Sequence, residues 1–303
     1  TNDEFISNNH GVVEVLAVLL PETKASNEIL DFNNSETVIR AFLNSLSIRS
    51  KYARSRKTQK NILEILKNDN ICHELISSLL EIAITPNNPF NIIFITNLLS
   101  KIKLPNRDAV FSKCVIMNYQ NEGVVKVLVD SDYFETFNNL SIEAKELWIL
   151  TLALFCSVSD RRIRDKSSKI MTLFLSKEIS LTENLITQIK NYDDEYIIER
   201  ITSAIYSSIL ITSQDTILLN ISNYIINNNL LSIYSNILIQ DNLKLILGLA
   251  KLKGLISNET YLEAVKNIVK TKFKKPNKIK YRIILHNKKQ IIIAIYNIFK
   301  PEY

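Results

Sequence analysis

The sequence predicts an all-α fold, an α-solenoid of stacked helix pairs, and two observations carry that expectation. The first is glycine: four residues in 303, at Gly11, Gly123, Gly248 and Gly254, where an ordinary chain carries about 7%. Glycine supplies the positive-φ turns of hairpins and the close backbone approach of phosphate-cradling loops. Its scarcity therefore argues against sheets and against Gly-rich nucleotide sites. The second is rhythm: apolar residues recur at helical spacing in segments joined by short polar links, as in a TPR- or HEAT-like array.

The elements follow in order. Residues 5–20 show helical spacing that Pro21 ends. "SETVIRAFLNSL" sets Val38, Ile39, Phe42, Leu43 and Leu46 on one helix face, with Ser35 as its candidate cap. "NILEILKN" and "ICHELISSLLEIAI" carry the pattern to Pro86 and Pro89, and Pro105 is the next break. Helices are then expected over 107–127, 141–158, 161–176, 182–190, 194–210, 216–227, 231–252 and 257–271. The isoleucine-rich tail, 278–299, reads as one more helix or as a terminal hairpin around "HNKK". The expected organisation is a helical-repeat array over 1–256, continued by a basic C-terminal cap over 257–303.

Composition narrows the function classes. Hydrophobic residues at 46% and charged residues at 22% describe a chain that buries a core. The longest apolar run, "LWILTLALFCSV" at 147–158, is shorter than the ~18 residues a membrane span needs. No signal-peptide pattern is present, and the expected location is cytoplasmic. The chain starts at Thr1 and has only Met117 and Met171, which reads as a piece of a longer protein. Cys72, Cys114 and Cys156 form no CxxC, and the histidines, His10, His73 and His286, are not at ligand spacing. Cys72 beside His73 is a candidate reactive pair, but small buried hydrophobes in a reducing compartment are the preferred reading. No metal or cofactor is expected.

Charge is uneven. From 264 to 300 there are eleven Lys or Arg and no acid, so against a chain total of +6 the remainder is net −5. A second cationic run, "IRSKYARSRKTQK" at 48–60, also lacks acids. The candidate contacts to an acidic partner or to nucleic acid are Arg49, Lys51, Arg54, Arg56, Lys57, Lys272, Lys274, Lys275, Lys278, Lys280 and Arg282. Solvated faces are the competing reading of both runs.

"SVSDRRIRDKSSKIM", 157–171, reads as a helix N-terminus that Ser159 or Asp160 caps, with Asp165 and Lys169 spaced for an i,i+4 pair. Cations in a first turn oppose the helix dipole, so the arginines need partners elsewhere. Arg161, Arg162, Arg164 and Asp165 are therefore expected to form a charged hinge between repeats, neutralising carboxylates of a neighbour and bridging to the next helix. In "NYDDEYIIERITSAIYSSIL", Asp193 or Asp194 is expected to cap a helix burying Ile197, Ile198, Ile201, Ala204 and Ile205. No constellation of His, Cys and Gly supports an active site.

The blocks "LSIEAKELWILTLALFCSVSDRRIRDKSSKIM", "YDDEYIIERITSAIYSSI" and "ILIQDNLKLILGLAKLKGLI" resemble the C-terminal helical-repeat region of bacterial antiviral STAND NTPases, the Avs group. "VLAVLLPETKASNEILDF" and "AFLNSLSIRSKYARSRKT" resemble earlier blocks of that region, so the likeness spans about 11–256. The chain departs from the family pattern at Ile48, where a tryptophan is expected, and at Gln240-Asp241, where Arg-Asp is expected. The resemblance implies a sensor. In that family the helical array recognises a phage protein, and recognition drives a central ATPase to oligomerise and switch on an N-terminal effector, often a nuclease. No Walker motif GxxxxGK[ST] occurs in this chain, so the chain itself is expected to be non-enzymatic and its oligomerisation to require an ATPase region elsewhere. A HEAT-like nucleic-acid binder and a general protein scaffold are the rival expectations.

Overall fold

A computed structural model describes residues 36–49, 56–66, 72–130 and 134–266, and all the described secondary structure is helical. The described residues belong to the first of two units into which the chain divides, Thr1–Ile268. The expected helix at 5–20 and the expected cap elements beyond residue 266 lie outside them.

The first described helices are α1 (Glu36–Ile48), α2 (Arg56–Ile65), α3 (Cys72–Glu81) and α4 (Ile92–Leu99). Helix α1 buries Phe42, Leu43 and Leu46, and α3 buries Leu75, Ile76, Leu79 and Leu80, so the two apolar stripes read from spacing meet each other. Between α3 and α4 the chain turns through Pro86 and Pro89. There Asn88, buried, donates to the Leu46 carbonyl at 2.9 Å and accepts from the Phe90 amide at 2.9 Å, fastening the turn to the end of α1.

The segment expected as one helix over 107–127 is instead four pieces: α5 (Leu104–Arg107), a π-helical turn (Asp108–Ser112), α6 (Lys113–Gln120) and α7 (Val124–Leu128). Pro105 starts α5 before the predicted boundary, because its fixed φ suits a first turn. The break before α7 is set by Asn118, whose Oδ1 accepts from the Val125 amide at 2.9 Å and supplies the N-terminal cap from within α6. Apolar periodicity continues across that break, which is why spacing alone missed it.

Helix α8 (Phe134–Asn138) leads to α9 (Ile142–Phe155), capped by Ser141, whose Oγ accepts from the Ala144 amide at 3.3 Å. Every residue of α9 from Leu147 to Phe155 is buried, as expected of a helix apolar on all sides. It packs against α4, α10 (Arg161–Lys177) and α12 (Glu195–Thr212). Trp148 donates its indole N–H to the Leu128 carbonyl at 3.0 Å, so this large side chain is buried without an orphaned donor. Its ring meets Phe174 edge-on at 5.1 Å, and Phe174 stacks on Phe137 at 3.8 Å.

Beyond α10, the order is α11 (Leu181–Gln188), a 3-10 turn (Ile189–Asn191), α12, α13 (Asp215–Asn227), α14 (Leu230–Ile233), α15 (Ile237–Leu252) and α16 (Asn258–Lys266). Helix α10 packs on α12 and α12 on α15, while α11 packs on α13 and α13 on α15. The buried apolar residues form one continuous core from Phe42 to Ala250.

The predicted helix over 231–252 breaks between α14 and α15. Asn236 accepts from the Leu238 and Ile239 amides at 2.9 and 3.4 Å, and this cap starts a new helix. Gln240, buried, donates to the Tyr234 carbonyl at 2.8 Å and satisfies an oxygen that the break frees. Scarce glycine also has a local consequence. Positive φ angles are taken up by Asn87, Glu122, Ser213 and Asn229 as well as by Gly254.

Candidate functional site

The N-terminus of α10 gathers the charges that stood out in the sequence. Asp160 is the cap: its Oδ1 accepts from the Arg162 amide at 2.8 Å, and its carboxylate also receives the Arg162 guanidinium at 2.8 and 3.2 Å. Arg162 holds the Asp160 carboxyl below the usual carboxylate value through these bonds. Arg161 donates to Asp165 at 3.1 Å. The i,i+4 partner of Asp165 is thus Arg161, one turn earlier, and not Lys169. Two of the three arginines are answered by α10 and its own cap, Asp165 and Asp160, which corrects the expectation that they neutralise a neighbour's carboxylates. A carboxylate on the same helix reaches them with less side-chain ordering than one on another helix.

The contact to the next helix runs through the other two residues. Arg200 of α12 lies 3.9 Å from Asp165, and it also hydrogen-bonds the Tyr196 hydroxyl. The Arg164 and Arg200 guanidinium carbons sit 5.3 and 5.0 Å from the centroid of the Tyr196 ring. Arg164 and Arg200 share the Tyr196 ring and Arg200 reaches Asp165, and these contacts hold α10 beside α12. On the other side, Arg162 and Lys166 approach the Tyr119 ring at 6.0 and 5.6 Å. Beneath the cluster lies Cys156, whose thiol burial pushes up to about 11, against the pull of Ser168, Arg200 and Arg164. These contacts hold the helices together.

The basic runs are placed unevenly. Arg49 was a candidate surface contact, but it is 6% exposed. It donates to Thr58 at 3.1 Å and Ser45 at 3.2 Å, with its guanidinium over the Phe42 and Phe90 rings. It knits α1 to α2 and offers nothing to a partner, since the amphipathic side chain finds both its polar and its flat-faced partners inside. Arg56 and Lys57 open α2, with side chains outside the described ones. Lys51, Arg54, Lys272, Lys274, Lys275, Lys278, Lys280 and Arg282 lie outside the described residues.

Sequence reasoning missed three features. Arg107, 4% exposed, forms a bidentate pair with Asp193 at 2.9 and 2.7 Å across 86 residues, pinning α5 to the loop before α12. The signal was the pair of adjacent aspartates: Asp194 caps α12 through the Tyr196 amide at 2.9 Å, which leaves Asp193 for another task. The second is a cavity of about 360 Å³ lined by Cys72, His73, Lys113, Cys114 and Met117 together with the π-helical Ala109 and Val110. The third is the outer face of α15. Leu238, Leu245 and Leu252 recur every seven residues and are 55%, 48% and 82% exposed. Leu245 and Leu252 line a groove of about 570 Å³ together with Tyr206 of α12, Asp241, Lys244, Gly248 and Tyr261 of α16.

Among the described residues no group of three or more His, Cys, Asp or Glu is placed to hold a metal ion, and no helix is long and apolar enough to cross a membrane. No family model, curated protein or solved structure matches the chain.

Proposed function

We propose that this chain is the target-recognition region of a larger bacterial anti-phage STAND NTPase, folded as an α-solenoid of helix pairs and binding a phage protein. Binding would trigger oligomerisation and effector activation in the parent protein. The observation that carries the reading is the exposed leucine stripe of α15 beside its groove. Desolvating three leucines favours a protein partner, whereas a nucleic-acid surface is basic and polar. The mixed lining, Asp241 with Lys244 and Lys251, fits a polar rim around an apolar centre. The successive packing of α10 on α12 on α15, with α11 on α13 beside it, supports an array that extends by adding helices. The order of the sequence blocks supplies the link to antiviral NTPases.

The test is retrieval of the chain from nuclease-treated lysate of phage-infected bacteria, washed at low and high salt, with mass spectrometry of what is retained. The recovered phage protein is then purified and titrated against the chain. One phage protein that survives both washes and binds directly in the purified system is the expected result. Recovery of nucleic acid alone, lost at the higher salt, refutes the reading in favour of a phosphate-binding surface.

A further inference from the structure

Cys72 is the first residue of α3 and Cys114 the second of α6, and these two helices pack directly on each other. Both side chains are buried, at 7% and 3% exposed, and the Cys72 thiol lies near enough to Cys114 to act on it directly. Each borders the 360 Å³ cavity, whose wall includes the cation of Lys113 and the π-helical residues Ala109 and Val110. A π-turn widens the helix where it occurs and is frequent at functional sites; here it ends at Ser112, two residues before Cys114. We propose that Cys72 and Cys114 form a redox-sensitive dithiol, which hydrogen peroxide entering this cavity oxidises to a disulfide tying α3 to α6.

The roles of the two sulfurs differ. Cys72, the first residue of α3, serves as the attacking group. Cys114 keeps its proton: burial first, then the charge and the hydrogen bond of Cys72, push its thiol up to about 12, against the pull of Lys113. In the first step the Cys72 thiolate sulfur bonds to one peroxide oxygen, the O–O bond breaks, and the leaving hydroxide takes up a proton to become water. Cys72 is then a sulfenic acid. In the second step the Cys114 sulfur attacks that sulfur, the S–S bond forms and the S–O bond breaks. The departing hydroxide leaves as water with the Cys114 proton. Two thiols lose two protons and two electrons, and one peroxide becomes two waters. Cys156, which meets Ser168 at 3.5 Å and no second thiol, is an internal control.

The inference does not depend on the proposed function, and the full 303-residue chain is the material for its test. The chain is incubated with hydrogen peroxide, unreacted thiols are alkylated after unfolding, and the intact mass and peptide map are recorded. The expected product is a monomer about 2 Da lighter, with a reducible peptide pair joining Cys72 to Cys114 and Cys156 alkylated. Its Tm should rise by about 5–10 °C over the reduced chain. Cys156→Ser should behave as the parent, and Cys72→Ser and Cys114→Ser should each fail to give the lighter species. Equal alkylation of all three cysteines after peroxide overturns the inference, as does oxidation that ends in sulfinic acid or in disulfides between chains. The peptide map of the parent chain decides the matter even if a serine variant folds poorly.

Discussion

Removing the Asp193 carboxylate tests whether one ion pair holds the two parts of the helical assembly that lie far apart in sequence. In Asp193→Ala, Arg107 keeps one described acceptor, the Ile102 carbonyl at 3.2 Å, while its guanidinium stays buried at 4% exposed. A hydrogen bond to a charged group contributes about 1.5–3 kcal/mol, and two are lost. The Asp193 side chain is 51% exposed, so water already competes for half of the pair, and the pair is worth correspondingly less than a fully buried one. The expected loss is about 2–3 kcal/mol, read as a lower urea midpoint with an unchanged m-value. Adding Arg107→Met to the alanine variant should restore part of that loss, because the stranded charge is gone. A pH series provides a second arm. Arg107 holds the Asp193 carboxyl below its ordinary value of 3.8, so the unfolded chain takes up that proton first as the solution is acidified. The stabilisation is complete above the unfolded value and disappears as pH falls through the folded one. Asp193→Asn should flatten this part of the acid limb. A midpoint for Asp193→Ala within about 0.5 kcal/mol of the parent would refute the reasoning, showing that α5 is held by apolar packing alone.

Three further substitutions probe other parts of the fold. Gly123→Ala places a Cβ 2.5 Å from Asn118 Oδ1, on a side chain already committed to the Val125 amide and to Ser77; a loss of about 1–3 kcal/mol is expected by thermal or urea melting. Asn236→Ala removes the cap of α15 and should cost about 1 kcal/mol, with faster amide exchange at Leu238 and Ile239 as the local readout. Arg161→Ala should change stability by less than about 0.5 kcal/mol, because the Arg161 side chain is 85% exposed. Tyr196→Ala strips the ring from beneath Arg164 and Arg200 and should cost clearly more in the same melt.

Local physics made most of the helices legible. The stripe Phe42, Leu43 and Leu46 and the all-round apolar α9 are decided by spacing, so the sequence displays them directly, and it narrowed each of two caps to a pair, Ser159 or Asp160 and Asp193 or Asp194, from which the structure takes Asp160 and Asp194. The breaks were harder to see. Asn118 and Asn236 interrupt apolar patterns that continue in phase on either side, and a single amide side chain that captures backbone N–H groups leaves no mark on periodicity. At the charged cluster, Arg161, Arg162, Arg164 and Asp165 were recognisable as a unit, but not the division of labour among them. Which carboxylate an arginine meets depends on distances that only packing sets.

By itself the sequence determined the helical class and most of the apolar faces, because each rests on interactions within about one turn of chain. Tertiary structure decided which charges and sulfurs became neighbours. Arg49 turned inward because Thr58, Ser45 and two phenylalanine rings surround it. Arg107 found Asp193 across 86 residues, and Cys72 found Cys114 because α3 lies against α6. These pairings follow from how helices stack, and a stacking contact between distant segments is fixed by the fit of whole faces rather than by any short stretch of residues.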